Sequence, residues 1–198
     1  MNSLRIAMVT RRFWPLVGGA EMVMANLAAE LLRQGHRPRV VTAQWESDWP
    51  TDVVHREVPV VRIPNPARRG WGTLRYMVGL NRWLRRHLEE IDVVYVSMLK
   101  HDAYAAITTL ESTRVPVVVR AEGAGATGDC RWHETGRFGM RIRRCCRRAD
   151  RLIAPSPTIA DEMLAAGFDA ERIERILNGV AIPPPRHGGA RGDARAIL

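Results

Sequence analysis

Two glycine-rich loops are the parts of the sequence whose residue types and spacing could do chemistry. The first loop runs from Arg11 to Glu21 and contains the adjacent pair Gly18 and Gly19. Glycines at the start of a helix let a ligand approach the backbone and leave free amides pointing at an anion such as a phosphate. The loop is neither a GxGxxG motif nor a P-loop. A tight structural loop, in which Glu21 only complements the helix dipole, is the alternative.

The second loop carries three glycines at spacings of two and three residues, with charged side chains around them: Arg120, Glu122, Gly123, Gly125, Gly128 and Asp129. So much glycine is costly to fold unless a ligand needs the backbone, which predicts a flexible cradle with charged groups at its rim. A carboxylate such as Glu122 could orient a hydroxyl group or act on a proton there. The structural alternative is an Arg–Glu pair at a strand end beside a mobile surface loop.

Two predicted helices hold much of the positive charge. In the first, residues 74–88, the side chains of Arg75, Arg82 and Arg86 fall within about 40° of one another. Its expected buried stripe has four members: Leu74, Met77, Leu84 and Leu88. Three aromatic residues are expected off the centre of that stripe: Trp71, Tyr76 and Trp83. Near Arg68 and Arg69, they predict a basic and aromatic surface suited to an anionic lipid interface.

The second basic helix, residues 137–148, repeats arginine at i, i+4, i+7 and i+11: Arg137, Arg141, Arg144 and Arg148. Apolar residues lie on the opposite side: Ile142, Cys145, Cys146 and Ala149. A solvated charged face is the usual explanation of such a pattern, and we prefer it here. The basic residues sit on separate helices and no recognition motif accompanies them, so nucleic acid is not an expected partner.

Short β-type runs alternate with helical patterns along the chain. The expected strands are residues 4–9, 39–43, 58–63, 92–97, 116–121, 151–154 and 173–177. The expected helices are one ended by Gly35, residues 74–88, one beginning near Asp102, residues 137–148, and one from Pro157 capped by Ser156. This alternation predicts an α/β, Rossmann-like doubly wound parallel sheet flanked by helices. In such sheets ligands bind outside the carboxyl ends of the strands, where both glycine loops lie.

The composition is that of an ordinary globular domain and excludes a disordered chain. The 198 residues are 46% hydrophobic and 26% charged, with a formal net charge of +9. The three cysteines, Cys130, Cys145 and Cys146, lack metal-ligand spacing, which predicts reduced thiols and no metal site. No signal peptide and no run of eighteen apolar residues is recognisable, so we expect a cytoplasmic protein, at most peripheral on the inner face of the plasma membrane.

Four segments together carry a resemblance to a known family. They read PLVGGAE, GHRPRVVT, ADRLIAPS and IERILNGV, at residues 15–21, 35–42, 149–156 and 173–180, with Gly167 before the last. In this order they resemble family 4 retaining glycosyltransferases, over about residues 4–185. The first two segments are similar to the opening of that family, and the others to the segment that closes its N-terminal domain.

The resemblance implies a GT-B fold, in which two Rossmann-like domains face each other across a cleft. The N-terminal half chiefly binds the acceptor, and the C-terminal half binds a nucleoside diphosphate sugar. Carried over to this chain, Gly18 and Gly19 would approach the donor diphosphate, and Glu122 with Gly123 would face the reacting sugar. Many relatives have a histidine where this chain has Glu122. The remaining candidates for substrate binding are Arg120, Gly125 and Asp129, and no metal or other cofactor is expected.

The function implied by the resemblance is hexosyl transfer from a nucleoside diphosphate sugar to a glycan, lipid or small-molecule acceptor, with retention, as in polysaccharide biosynthesis. Residues 1–182 would be the N-terminal domain, and residues 183–198 the linker and start of the donor-binding domain, so the chain alone is expected to be inactive. One alternative is a basic membrane-surface domain in contact through Arg75, Arg82, Trp83 and Arg86. A sugar-nucleotide epimerase of the same architecture is the other.

Overall fold

A computed structural model describes residues 3–65 and 71–179 of the chain. These residues form eight strands, which make a single sheet, and six α-helices, which flank it. The strands are β1 (Arg5–Val9), β2 (Arg37–Gln44), β3 (Asp52–His55), β4 (Val58–Pro64), β5 (Val93–Ser97), β6 (Val117–Arg120), β7 (Arg151–Ala154) and β8 (Ile173–Arg175). The helices are α1 (Gly19–Arg33), α2 (Trp71–Arg86), α3 (His101–Leu110), α4 (Asp129–Thr135), α5 (Gly139–Cys146) and α6 (Pro157–Ala165).

The strand order β3-β4-β2-β1-β5-β6-β7-β8 confirms the doubly wound sheet. All neighbouring strands are parallel except β3 and β4. The direction of winding reverses between β1 and β5, and ligands of such sheets bind at the carboxyl edge of this switch point. The loops that follow β1, β5 and β6 meet there.

Apolar side chains form a core on each face of the sheet. On one face, α1 covers β1, β2 and β4 through a core that includes Met8, Met24 and Val40. On the other face, α2, α3, α5 and α6 pack over a larger core that includes Leu80 and Leu152. Cys145 and Cys146 are buried there and Cys130 is half-buried, all three as free thiols. No helix in the described part of the chain is long and apolar enough to cross a membrane.

Strand β3 and helix α4 were not expected from the sequence. Strand β3 pairs antiparallel with β4 through a two-residue turn at Arg56 and Glu57, whose φ angles are 51° and 65°. Such turns normally carry Asn or Gly, so an Arg-Glu turn gives no sequence signal. Helix α4 has only seven residues and directly follows the second glycine loop.

The buried stripe predicted for α2 is confirmed at Leu84 and wrong at Leu74, while Met77 and Leu88 are half-buried against the core. Its buried residues are Gly72, Tyr76, Leu80 and Leu84, which repeat at i+4, whereas Leu74 is 54% exposed. Tyr76 is fully buried in the core, and its ring packs against the guanidinium of Arg11, whose Cζ is 4.2 Å from the ring centroid. By contrast, the amphipathic pattern predicted for the second basic helix is confirmed. Its four expected apolar residues are buried, and its four regularly spaced arginines are exposed.

The helix bounds also differ in part from the expectation. Helix α5 begins at Gly139, after Phe138 with a φ of 63°, so Arg137 precedes the helix. Ser156 caps α6 as expected, and its Oγ accepts a hydrogen bond from the amide of Ile159 at 3.2 Å. Residues 183–198 and the pair Arg68 and Arg69 lie outside the described residues.

Candidate functional site

The loop after β1 brings Gly18 and Gly19 to the N-terminus of α1. Gly18 is the N-cap residue, and no side chain caps the helix through a hydrogen bond. A Cβ on Gly18 would collide with the carboxylate of Glu21, whereas a Cβ on Gly19 would meet nothing within 4 Å. The Glu21 carboxylate also lies 3.4 Å from Nε of Arg12. A side chain at Gly18 would therefore displace the Glu21 carboxylate, whereas Gly19 provides an open approach to the backbone.

The loop after β6 places Glu122 beside a buried arginine. Arg120 forms an ion pair with Oε1 of Glu122, and Ser97 at the end of β5 donates a hydrogen bond of 2.6 Å to the same oxygen. The other arm of the Arg120 guanidinium donates to Oδ1 of Asn178, beyond β8. These contacts tie together the carboxyl ends of β5, β6 and β8, and they fix the direction of the Glu122 carboxylate.

We expected Arg120 and Asp129 at the rim of the loop. In the structure both are buried at its base. Oδ2 of Asp129 accepts a hydrogen bond of 2.8 Å from the amide of Glu122, and Oδ1 lies 3.6 Å from Nζ of Lys100. A carboxylate in this position binds the two ends of the loop together. Its burial is compensated by the amide and the ammonium, as a buried charge requires.

The glycines of the same loop form a closed, hydrogen-bonded turn and not an open cradle. The amide of Gly128 donates to the carbonyl of Gly125 at 3.0 Å, and the amide of Gly125 donates to Oε1 of Glu162 at 2.7 Å. Gly125 has a φ of +68°, which favours glycine. A Cβ on Gly128 would lie 2.8 Å from the backbone of Ala124, so only glycine fits there.

A second buried cluster, which the sequence did not reveal, lies between the loop after β1 and α3. Nη2 of Arg11 donates to the side chains of Asn65 and Thr73, at 3.0 and 3.2 Å, while its Nη1 lies 4.0 Å from Oδ1 of Asp102. Asp102 is 4% exposed, and burial raises its pKa to about 6 against the opposing charge of Arg11. Burial, Arg11 and Lys100 lower the pKa of the neighbouring His101. The only feature of the sequence that could have indicated this cluster is that Asp102 follows β5, at the edge of the sheet where ligands bind.

The residues expected to form a basic and aromatic surface on α2 are only partly at the surface, because Tyr76 is buried. Arg75, Arg82 and Arg86 are exposed. Trp83 is half-buried and stacks on His87, with 4.4 Å between the ring centroids. Trp83 also lines a cavity of about 270 Å³ with Arg39 and Glu90. The structure thus separates Trp83 from the exposed row of arginines.

A large cleft lies between α1 and the uncovered faces of β5, β6 and β7. Its volume is about 770 Å³ and its lining is mostly apolar, including Val93, Val118 and Ile153. The Arg120 and Asn178 side chains, which contact each other, also line the cleft. The ion pair of Arg120 with Glu122 is therefore adjacent to this cleft.

Residues 17–182 match the model of Glycosyltransferase Family 4. The chain belongs to this family. The comparison with curated proteins gives no match. The match begins within the first glycine loop and includes the segments at residues 35–42, 149–156 and 173–180 that carried the resemblance in the sequence.

Several solved structures share the fold of this family 4 chain. Sucrose-phosphate synthase from Thermosynechococcus elongatus superposes with a TM-score of 0.74 and 13% identity, over 98% of this chain and 53% of that protein. Alr3699/HepE of Anabaena, solved with UDP-glucose, gives 0.65 and 18%, over 89% and 44%. The lipopolysaccharide outer core galactosyltransferase WaaB, in its apo form, gives 0.64 and 16%, over 93% and 50%.

These likenesses establish the Rossmann-like domain of the GT-B architecture for the family 4 chain. The chain spans about half the length of each of the solved proteins it matches. Within the family 4 domain, Glu122, Arg120 and Asp129 form one cluster. Gly123 and Gly125 belong to the same loop after β6. Gly18 and Gly19 follow β1, which is two strands away from β6 in the sheet.

Proposed function

We propose that the chain is the acceptor-binding domain of a retaining hexosyltransferase that uses a nucleoside diphosphate sugar and a glycan, lipid or small-molecule acceptor. The observation that carries this proposal is the family match over residues 17–182. The Glu122 carboxylate, fixed at the carboxyl edge of the sheet, gives the domain a suitable reactive group. The family match also favours transfer over the epimerase alternative.

Two loops would act on the donor. The open backbone at Gly19 and the uncapped amides of α1 suit an anionic diphosphate, because the N-terminus of a helix carries partial positive charge. Arg12 offsets the nearby negative charge of Glu21. Glu122, directed by Arg120 and Ser97, would orient the reacting sugar and stabilise positive charge on its ring.

Transfer with retention would proceed on one face of the sugar. The bond between the anomeric carbon and the diphosphate oxygen breaks, the acceptor oxygen bonds to the same face of that carbon, and the acceptor proton passes to the departing diphosphate. The domain contributes by positioning the acceptor hydroxyl and by stabilising charge with fixed dipoles, and both effects are large in enzymes. No step of this route requires a metal ion.

Activity should depend on a donor-binding domain joined to this one. The test is to express the protein with both domains and to incubate it with a panel of UDP-, ADP- and GDP-hexoses, measuring release of the nucleoside diphosphate. We expect release with at least one donor, and none from the 198-residue chain by itself. Absence of hydrolysis and transfer across the whole panel would contradict the proposal.

A membrane-surface role is a second candidate, favoured by the exposed face of α2. Exposed apolar and basic residues repeat there at helical spacing: Trp71, Leu74, Arg75, Val78, Arg82 and Arg86. Apolar side chains beside arginines suit the headgroup region of an anionic bilayer. Such docking would bring the domain to a lipid-linked acceptor.

Vesicle sedimentation tests this role. We expect the chain to bind phosphatidylglycerol vesicles more strongly than phosphatidylcholine vesicles, and the triple substitution of Arg75, Arg82 and Arg86 by Glu to abolish the difference. The same triple change at Arg137, Arg141 and Arg144 alters net charge equally and serves as the control. Equal loss in both triple variants would show a general charge effect and no docking face.

A further inference from the structure

Three tryptophans lie in the loops at the carboxyl ends of β1 and β2. Trp14 follows β1, while Trp45 and Trp49 follow β2. Trp14 is 42% exposed and Trp45 is 39% exposed, and Trp49 is half-buried. We call this group, with Arg11 and Arg62, the tryptophan platform. Large aromatic side chains left in solvent at the edge where ligands bind indicate an interaction site.

The buried guanidinium of Arg62 supports two of these indoles. Arg62 is only 3% exposed and donates to the carbonyls of Pro50 and Trp14, at 2.7 and 3.1 Å. Its Cζ lies 5.9 Å from the ring centroid of Trp14 and 5.3 Å from that of Trp49. The ring of His55 also stacks on Trp14, with 5.1 Å between the ring centroids. Cation–π contacts of this kind hold the indoles in fixed positions.

The third indole, Trp45, is fixed by its own hydrogen bond. Its Nε1 donates to the carbonyl of Arg11 at 3.0 Å, and the Arg11 guanidinium lies 5.8 Å from the ring centroid. The loop that carries Trp45 is closed by a bond of 3.2 Å from the amide of Trp49 to the carbonyl of Glu46. The side chain of Gln44 donates to the Trp49 carbonyl at 2.6 Å. The platform is thus ordered before any ligand binds.

The polar residues beside the indoles indicate which ligand they suit. Glu46, Ser47 and Asp48 lie between Trp45 and Trp49, and all three are exposed. A pyranose ring offers an apolar C–H face for an indole and hydroxyl groups that donate hydrogen bonds to carboxylates. Two exposed carboxylates oppose an anionic bilayer or an anionic ligand. The combination favours a neutral saccharide.

We infer that the tryptophan platform binds a neutral oligosaccharide acceptor, with one pyranose ring stacked on Trp45. This inference rests on the proposed transferase function and names its acceptor class. Three strand spacings, or about 14 Å, separate β2 from β6, which carries Glu122. An acceptor whose end lies near Glu122 must therefore extend beyond a single sugar ring to reach Trp45.

The test is direct binding of neutral oligosaccharides to this chain. Maltopentaose, cellopentaose, mannopentaose and chitopentaose are titrated by calorimetry, and saturation-transfer NMR identifies the protons of the sugar in contact. We expect saturable binding of at least one of them. Trp45→Ala should weaken it about tenfold, or about 1.4 kcal/mol. Trp45→Phe keeps an aromatic face and should retain most of the affinity.

Two further variants make the result specific. Phe138→Ala removes another exposed aromatic ring, which lies before α5 against the guanidinium of Arg137, and should leave binding unchanged. If Trp45→Ala fails to fold by circular dichroism, the double substitution Glu46→Gln and Asp48→Asn keeps the indole and should weaken binding severalfold. Both variants are compared with the unmodified chain at equal concentration.

Several results would overturn the inference. These are no saturable binding to any of the four sugars, equal affinity in the unmodified chain and the Trp45→Ala variant, or Trp45-dependent binding to phosphatidylglycerol vesicles in place of sugar. Saccharide binding needs no donor, so its absence would leave transfer to another acceptor class intact. Conversely, saccharide binding without sugar transfer in the two-domain protein would contradict the transferase function only.

Discussion

Replacement of the buried Asp102 should change how the stability of the chain depends on pH. Asp102 lies in the core beside Arg11, Tyr76 and His101, and its Oδ1 receives no hydrogen bond from the described residues. Burial raises its pKa from an ordinary value of 3.8 to about 6. The unfolded chain therefore releases this proton at a lower pH than the folded chain.

The sign and size of the effect follow from linkage. A raised pKa in the folded state means that stability is full below about pH 4 and declines as the pH rises through about 6. The shift from 3.8 to about 6 is roughly two pH units, and each unit corresponds to about 1.4 kcal/mol, so the loss is about 3 kcal/mol by neutral pH. In Asp102→Asn this contribution is absent, because an amide does not titrate.

Urea unfolding followed by circular dichroism measures the difference. The unmodified chain and Asp102→Asn are unfolded at several values between about pH 4 and pH 7, and the free energies of unfolding are subtracted at each. The difference should move by about 3 kcal/mol in favour of Asp102→Asn as the pH rises. The exposed Asp161→Asn serves as the control and should run parallel to the unmodified chain. Parallel curves for Asp102→Asn as well would refute the reasoning.

Other positions give independent predictions. Gly128→Ala should destabilise the chain by about 1–3 kcal/mol in urea, because its Cβ meets the backbone of Ala124, while Gly19→Ala has open space and should stay within about 0.5 kcal/mol. Ser156→Ala should lower the free energy of unfolding by about 1 kcal/mol, because α6 loses its cap. A change smaller than the error of the urea unfolding measurement would contradict this. In the two-domain protein, Glu122→Gln should lower kcat about 100-fold or more with its folding intact, and wild-type turnover would exclude a direct role for the carboxylate.

Much of the fold was predictable because its signals are local. Seven of the strands and the five longer helices follow from hydrophobic runs, helical spacing and caps such as Ser156. Strand β3 was missed because its turn at Arg56 and Glu57 adopts positive φ without glycine. Helix α4 was missed because it is short and begins inside a glycine-rich segment.

The candidate site was predictable only in its position. The strand–loop pattern indicated that Glu122 and the pair Gly18 and Gly19 lie at the carboxyl edge of the sheet, and the structure places them there. The partners of these residues were not predictable. Ser97 and Asn178, which hold the Glu122 and Arg120 side chains, lie 25 and 58 positions away in the chain.

The sequence by itself determined the class of the sheet, the two loops that could meet a ligand, and the family, because each depends on residues close together in the chain. Only the tertiary structure decided the burial and the partners of the polar and aromatic side chains at the edge of the sheet. It placed Asp129 inside the loop base, Tyr76 beneath Arg11, and Trp14 beside Arg62. The physical reason is that the order of the strands brings distant loops to one edge of the sheet. The charged and polar groups that become buried there must find hydrogen-bonding or ionic partners in place of water.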